Sequence, residues 1–448
     1  MSKKLVGVLA ALFALTLVAG ACGDNDSSGG GNNDDDGKAE ATQPIDYAAL
    51  GLWDDGPCDE SRDPLIIGLM TVFESPVLSL KDEATALEAS AKAFNARGGA
   101  NGACIEVHAC DDGGNVDQAV ACVREIDDAG VVVTVNDLGT AGHLDVRNAM
   151  TAAGIPRIAS NVVPEDWDDP NTYPLDGSAT GFTLLLPQAL IEEDVTEIGV
   201  IRVDLAAASA LLGLMSYVYK GKATFPVDIP VPAGTTDYSQ FILAAQNAGA
   251  GGVSLALGEQ ESTQVVRAGQ QLNTDMLMGA SLGAFSQSSV AELGDFSDRM
   301  VFLWSYPPAT SDVPVYAALR DDLAASGEES LQPANLTANP MRSWIGLYAL
   351  LKMIRDAHML TFDRAGITAM LNQATDVPML EMFGGENWTP ALNHPGIFKR
   401  AGMNHWATWR WDADAKGPES PDGNFVPRAD ISFDEVMCGT PFGAPEPC

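Results

Sequence analysis

From Pro64 onward, short β-branched runs alternate with helical patterns, and after one interruption the alternation begins again. LIIGLM (Leu65 to Met70) is an apolar run of strand length, and DEATALEASAKAFNA (Asp82 to Ala96) spaces its apolar residues helically behind an acidic first turn. GGANG ends that helix. Strand, helix, strand, helix and strand then follow at Ile105 to Cys110, Val116 to Ala129, Val131 to Val135, Leu144 to Gly154 and Ile155 to Ser160. A proline- and aspartate-rich stretch from Pro164 to Gly177 breaks the series. It restarts with strands at Glu197 to Val203, Val227 to Pro232, Gly251 to Leu257 and Met276 to Ala280, separated by helices through Ala210 and Tyr219, Tyr238 to Ala248 and Ser262 to Leu272. Such a chain predicts an α/β protein of two doubly wound lobes, each a parallel sheet with helices on both faces. Neither unit carries a glycine-rich phosphate loop, which favours a cleft between lobes over a nucleotide enzyme.

The N-terminus supports export. Residues 1–21 pair Lys3 and Lys4 with an apolar run from Leu5 to Ala19 and the small residues Gly20 and Ala21, the pattern of a signal peptide. That run falls short of the ~20 residues a spanning helix needs. Cys22 follows VAGA as in a lipoprotein signal, with Ala19 where such signals prefer leucine, and is the expected lipidation site. Residues 22–60 read as a tether whose acidic, glycine-rich part, Gly23 to Pro44, cannot bury apolar surface. The formal charge is -36, and -38 once residues 1–21 take away two lysines and no acids. Nucleic acid is therefore excluded as a partner, because phosphate binding needs Lys/Arg clusters.

Six cysteines remain besides Cys22, an even number that in an exported chain favours disulfides, although six allow 15 connectivities. The preferred set is Cys58 with Cys104, Cys110 with Cys122, and Cys438 with Cys448. Cys104 and Cys110 stand at opposite ends of one strand, roughly 20 Å apart at ~3.3 Å per residue, too far to bond. Cys122 lies on the helix that must fold back over Cys110. No CxxC or HxxxH spacing suggests a metal, and no cofactor is expected.

GGANGACIEVHACDDGGNVDQAVACVREI (Gly98 to Ile126), GIPRIAS (Gly154 to Ser160), PAGTTDYSQFILAAQNAGAGGV (Pro232 to Val253) and GASLGAF (Gly279 to Phe285) resemble, in order, the type I periplasmic-binding-protein family. The branch is that of the leucine/isoleucine/valine-binding proteins, and the likeness covers most of residues 64–360. It fades beyond about Asp376, leaving Asn393 to Asp412 as a terminal strand region. The resemblance implies a three-strand hinge, a first lobe of residues 64–176 and 306–378, and a second of 177–305 and 379–448. It returns the long helix candidate Arg342 to Met359 to the first lobe. It also implies a monomeric solute-binding protein of the cell envelope that delivers an amino acid or related small molecule to an ABC permease, without catalysis.

In such folds ligands sit at the carboxyl ends of the strands, where helix N-termini present free N–H groups. Gly139, Thr140, Ser160 and Asn161 stand where the family's amino-acid binders hold the α-carboxylate, a place helix amides favour for an anion. Asp204, Glu259 and Leu282 are the facing second-lobe candidates, with Glu259 the first choice to meet a ligand ammonium. The family often places a tyrosine after the first strand of the second lobe. DLAAAS (Asp204 to Ser209) has none, so Phe73 or Tyr173 must supply aromatic surface. A branched-chain amino acid is then one candidate among small organic acids, amides and aromatic compounds.

Simpler roles compete with these. Thr140 and Ser160 suit helix caps, Glu259 a solvated carboxylate, His108 a packed strand residue, and the tryptophans at 406, 409 and 411 core packing. Gly279, Ser281 and Gly283 spell G-x-S-x-G, followed by His358, His394 and His405, so an exported serine esterase is a competing class. A sensory receptor of the same fold is a third.

Overall fold

The computed structural model describes residues 45–75, 79–138, 142–163, 166–204, 206–391, 399–400, 402–416, 423–440 and 443. Cys22, Gly139, Thr140, His394 and Cys448 lie outside these.

The first strand–helix series is β1 (Leu65–Thr71), α1 (Lys81–Ala96), β2 (Ile105–Asp111), α2 (Val116–Asp128), β3 (Val133–Val135), α3 (His143–Ala153), β4 (Arg157–Ile158) and β5 (Thr172–Tyr173). Its strands form one parallel sheet in the order β2-β1-β3-β4-β5. Leu65, Ile67, Leu69, Val133 and Val135 are fully buried, as strands covered by helices on both faces require. β4 is far shorter than the run Ile155 to Ser160 suggests, because Ala159 turns into the left-handed region at φ 55° and ends the ladder. His108, expected to be packed, is instead partly exposed on edge strand β2, with Nε2 3.1 Å from Glu125.

The second series is α4 (Ser178–Ile191), β6 (Ile198–Val203), α5 (Ala206–Val218), β7 (Asp228–Val231), α6 (Ser239–Asn247), β8 (Gly252–Ala256), α7 (Glu259–Gln271), β9 (Leu277–Ser281), α8 (Gln287–Ala291) and β10 (Met300–Trp304). α9 (Tyr316–Ala324), α10 (Ala338–Asp356) and α11 (Arg364–Gln373) come next, then β11 (His405–Asp412), β12 (Asn424–Ser432) and α12 (Phe433–Met437). The second sheet runs β12-β11-β10-β9-β8-β6-β7. Its β7-β6-β8-β9-β10 part is parallel and repeats the first sheet's order, while β11 and β12 extend it antiparallel. Trp406, Trp409 and Trp411 of β11 are buried.

α10 packs on α1, with Trp344 5.4 Å from Phe94 between ring centroids. The packed chain begins before residue 60, where the tether was expected to end. Trp53 is buried, stacked on Phe94 at 5.5 Å and on Tyr348 at 6.3 Å, because aromatic surface outweighs the polar character of its neighbours. Cys58 is bonded to Cys104 and Cys110 to Cys122. Cys438 is also disulfide-bonded. No described helix is long and apolar enough to cross a membrane.

Candidate functional site

In a sheet ordered 2-1-3-4-5 the connections leave the first and third strands in opposite directions, opening a crevice at their carboxyl ends. This chain has two such points, one between β1 and β3 and one between β6 and β8. They gather Thr71, Phe73, Asn136 and Asp137 on one side, and Asp204 and Glu259 on the other.

The first side is knit by buried polar groups. Arg157 is buried, with Nε 2.7 Å from Asp137 and Nη1 2.8 Å from Asp166. Burial alone would depress its pKa, but the two carboxylates outweigh burial and raise it. The other oxygen of Asp137 accepts from Thr134 at 3.1 Å and from Ser160 at 2.5 Å. Asn161 donates through its backbone N–H to the Asp137 carbonyl at 3.0 Å and through Nδ2 to Asn136 at 3.2 Å. Asn136 in turn donates to Ser343 of α10 at 2.9 Å, and Ser343 to the Glu83 carbonyl of α1 at 2.8 Å. Asn136, Ala159 and Ser178 hold left-handed φ of 58°, 55° and 48°. Alanine and serine rarely adopt this region, so the backbone at Ala159 and Ser178 is held there by its surroundings.

Ser160 and Asn161 are thus brought together, but both are buried and bonded within the protein. In this arrangement the Ser160 hydroxyl gives its proton to Asp137 and can only accept from anything else. Phe73 is half-buried on the loop after β1, its N–H donating to Asp111 at 2.9 Å. Tyr173 is fully buried at the sheet edge, donating to Asn372 at 3.0 Å with Arg400 4.6 Å over its ring.

On the second side Asp204 is exposed after β6. Glu259 opens α7, earlier than the helix start expected at Ser262. Its side chain is exposed, yet the surrounding protein and then the Asp82 carboxylate push it up to about 7. Leu282 is buried in the turn Leu282–Ala284, capped by Ser281 accepting from the Gly283 N–H at 2.9 Å. That turn meets α10, where Asn339 donates to the Gly283 carbonyl at 3.2 Å. Among the described residues no histidine or carboxylate hydrogen-bonds Ser281, and no His/Cys/Asp/Glu group is placed to hold a metal.

The residues that sequence reasoning missed lie beneath this rim. Arg342 of α10 is fully buried, with Nη2 2.8 and 2.9 Å from the two oxygens of Asp176. Asp176 also accepts from Ser305 and from the Ser178 N–H at 2.8 Å. Asp176 precedes α4 and Ser305 follows β10, so this clasp ties together two of the three chain crossings between the sheets. Glu83 is fully buried, and desolvation pushes its carboxyl up to about 8, helped by Asp137 and Asp82 and opposed by Arg342. The signal that could have found Arg342 is a guanidinium directly before the apolar run SWIGLYALL. Glu83 had none, since it follows Asp82 in an ordinary acidic first turn.

A separate open hollow of about 370 Å³ is lined by Glu386, His405, Asp430 and Glu435. Glu386 there already accepts from the N–H groups of Asn404 and His405, and none of the strand-end groups faces it. The strand ends, where unpaired polar groups and backbone strain coincide, are the stronger site.

Residues 64–403 match the model of the periplasmic binding protein family. No curated protein sequence matches the chain. Among solved structures it is similar to a fatty acid ABC transporter substrate-binding protein from Thermomonospora curvata, at 14% identity over 86% of this chain and 96% of that one, TM-score 0.66. A solute-binding protein of an R. palustris ABC transporter, in complex with 4-hydroxybenzoate, matches at 13% identity over 83% and 97%, TM-score 0.66. A substrate-binding periplasmic protein from Ralstonia solanacearum matches at 18% identity over 82% and 100%, TM-score 0.66. The fold is that of two-lobed type I periplasmic binding proteins.

Proposed function

Since this chain belongs to the periplasmic binding protein family, we propose that it is the extracytoplasmic solute-binding component of an ABC-type uptake system. It closes two lobes, residues 64–176 with 306–378 and residues 177–305 with 379–448, on a small molecule. The observation that carries this reading is the pair of matching switch points, one per sheet, joined at their edge by the Asn339–Gly283 contact. A ligand held by one rim gains contacts from the other only when the lobes close, which stabilises the closed form.

The solute is a small organic acid or amide, with an amino acid as one member of that range. Two similar structures are described by a fatty acid and by 4-hydroxybenzoate. The loop after β6 lacks the tyrosine of amino-acid binders, and Tyr173 is turned into packing with Asn372, which leaves Phe73 as the aromatic candidate. Cys22 anchors the chain to a membrane of the cell envelope, where it works as a monomer beside its permease.

A thermal-shift screen of the mature chain against organic acids, amides, amino acids and sugars tests this, with ester turnover followed in parallel. A ligand at 100 times its dissociation constant raises stability by about 2.7 kcal/mol. Saturable shifts without turnover support the reading. Turnover lost in Ser281→Ala would replace it with a hydrolase.

A further inference from the structure

We propose, on the basis of the solute-binding reading above, that Arg342 and Glu83 anchor a ligand carboxylate, so that the cleft selects a carboxylic acid over its neutral amide. Arg342 lies three residues beyond Asn339 on the same face of α10, and Asn339 touches the turn after β9. The guanidinium therefore stands on the floor between the two rims. Its Nη2 is held by Asp176, but Nε and Nη1 have no hydrogen-bond partner among the described residues. The rings of Trp304 and Tyr306, 5.9 and 5.7 Å away, offer it π faces and no lone pairs in its plane.

Glu83 approaches from α1, its main-chain carbonyl bonded to Ser343, the neighbour of Arg342. Both its carboxyl oxygens are buried and unpartnered, as is the Thr71 hydroxyl at the carboxyl end of β1. Thr71 adjoins Glu83 without reaching hydrogen-bond geometry. Three polar side chains from β1, α1 and α10 thus converge, fully buried, on the first switch point. Their surroundings decide what they want. The charge of Arg342 is balanced by Asp176, Asp137 is engaged by Arg157, and Asp82 is exposed at the start of α1. Glu83, pushed up to about 8 by burial, carries its proton at neutral pH.

The converging groups are then mostly donors, namely the N–H groups of guanidinium Nε and Nη1, a carboxylic O–H and a hydroxyl, beside one carbonyl oxygen of Glu83. A carboxylate presents two oxygens with about four lone-pair sites and matches them. An ammonium would set donor against donor, and an amide offers these donors one acceptor oxygen and no charge where a carboxylate offers two oxygens and a negative charge. Because these groups are sealed from solvent here, the solute reaches them only after the lobes part.

The test measures binding to the mature chain of benzoate, hexanoate and 4-methylpentanoate, each beside its own amide, together with amines and sugars. A carboxylate should bind at least 30-fold more tightly than its amide. Its affinity should fall about tenfold per pH unit above pH ~8, where Glu83 ionises next to the anion, and this fall should vanish in Glu83→Gln. Arg342→Gln should abolish the preference for carboxylate over amide. Arg342→Gln/Asp176→Asn, which leaves no lone buried charge, should do the same with the fold intact by circular dichroism. A neutral or cationic compound binding as tightly, or a preference surviving both Arg342 variants, overturns this assignment and leaves the solute-binding reading standing. No saturable binder in any class overturns both.

Discussion

Asp176→Asn is the sharpest perturbation of the buried clasp. The carboxylate accepts two contacts from Arg342, one from Ser305 and one from the Ser178 N–H, and every one of these partners is buried. Asparagine keeps one oxygen but replaces the other with an NH₂ that faces the guanidinium in either orientation, and also the Ser178 N–H or the Ser305 hydroxyl. The substitution also strands the Arg342 charge at zero exposure. Removing one partner of a buried pair costs about 3–5 kcal/mol. For domains the size of these lobes, each kcal/mol moves the thermal midpoint by about 2–4 °C. The midpoint measured by calorimetry should therefore fall by roughly 6–20 °C. Arg342→Met added to Asp176→Asn should recover much of the loss, because the uncompensated charge is gone. A single-variant midpoint within about 2 °C of the parent would show that the pair does not bear a buried charge. A double variant worse than the sum of its parts would refute the charge argument itself.

Three further outcomes follow from the same geometry. Glu83 has a folded pKa raised from 4.5 to about 8, so the folded state holds its proton more tightly than the unfolded one, and stability contributed at low pH is lost as pH rises from about 4.5 to 8. Urea melts across that range should show a shallower decline for Glu83→Gln than for the parent, by at most about 1.4 kcal/mol per pH unit. Gly346→Ala would place a methyl 2.6 Å from the Ala159 Cβ and 3.1 Å from Val135, overpacking the strand end that carries Ser160; a loss of about 1–3 kcal/mol in denaturant melts is expected. Cys58→Ser/Cys104→Ser opens a link spanning 46 residues and should lower stability by about 2–4 kcal/mol, with earlier proteolysis near Trp53 as the second readout.

The doubly wound architecture was legible because a buried parallel strand must be an apolar run, and the intervening helices must show 3.6-residue spacing. Leu65 to Met70 and Glu197 to Val203 carry that signal without interference. β5, β10 and β12 did not: two-residue pairing at Thr172–Tyr173 leaves no period to detect, and the antiparallel β11–β12 pair departs from the strand–helix alternation that marked the rest. Two cysteine pairs were accessible because the length of β2 keeps Cys104 and Cys110 apart and the helix after it must fold Cys122 back over Cys110. The rim of the site was also accessible, because loops at strand ends follow from the alternation. The network below it was not. Asp137, Arg157, Asp176 and Arg342 act through partners up to 166 residues apart, and no local pattern distinguishes a carboxylate that will clasp a buried arginine from one that will sit in water.

Ser305→Ala separates the hinge from the charge. The hydroxyl donates to Asp176 and so joins the crossing after β10 to the crossing before α4, while Arg342 and Asp176 keep their pair without it. Losing one such hydrogen bond costs about 1 kcal/mol, near 2 °C in midpoint, and leaves no charge unpaired. What it does to binding depends on whether the bond exists in both lobe arrangements. A bond confined to the sealed arrangement seen here biases the molecule toward closure, and its loss should weaken ligand binding by about fivefold, with dissociation accelerated. A bond present in both would leave affinity unchanged at the same cost in stability. Stopped-flow dissociation of a bound carboxylate measures the difference. Unchanged dissociation would mean that the crossings turn as one unit about the clasp, and that the bias toward closure resides in the Asn339–Gly283 contact across the rims.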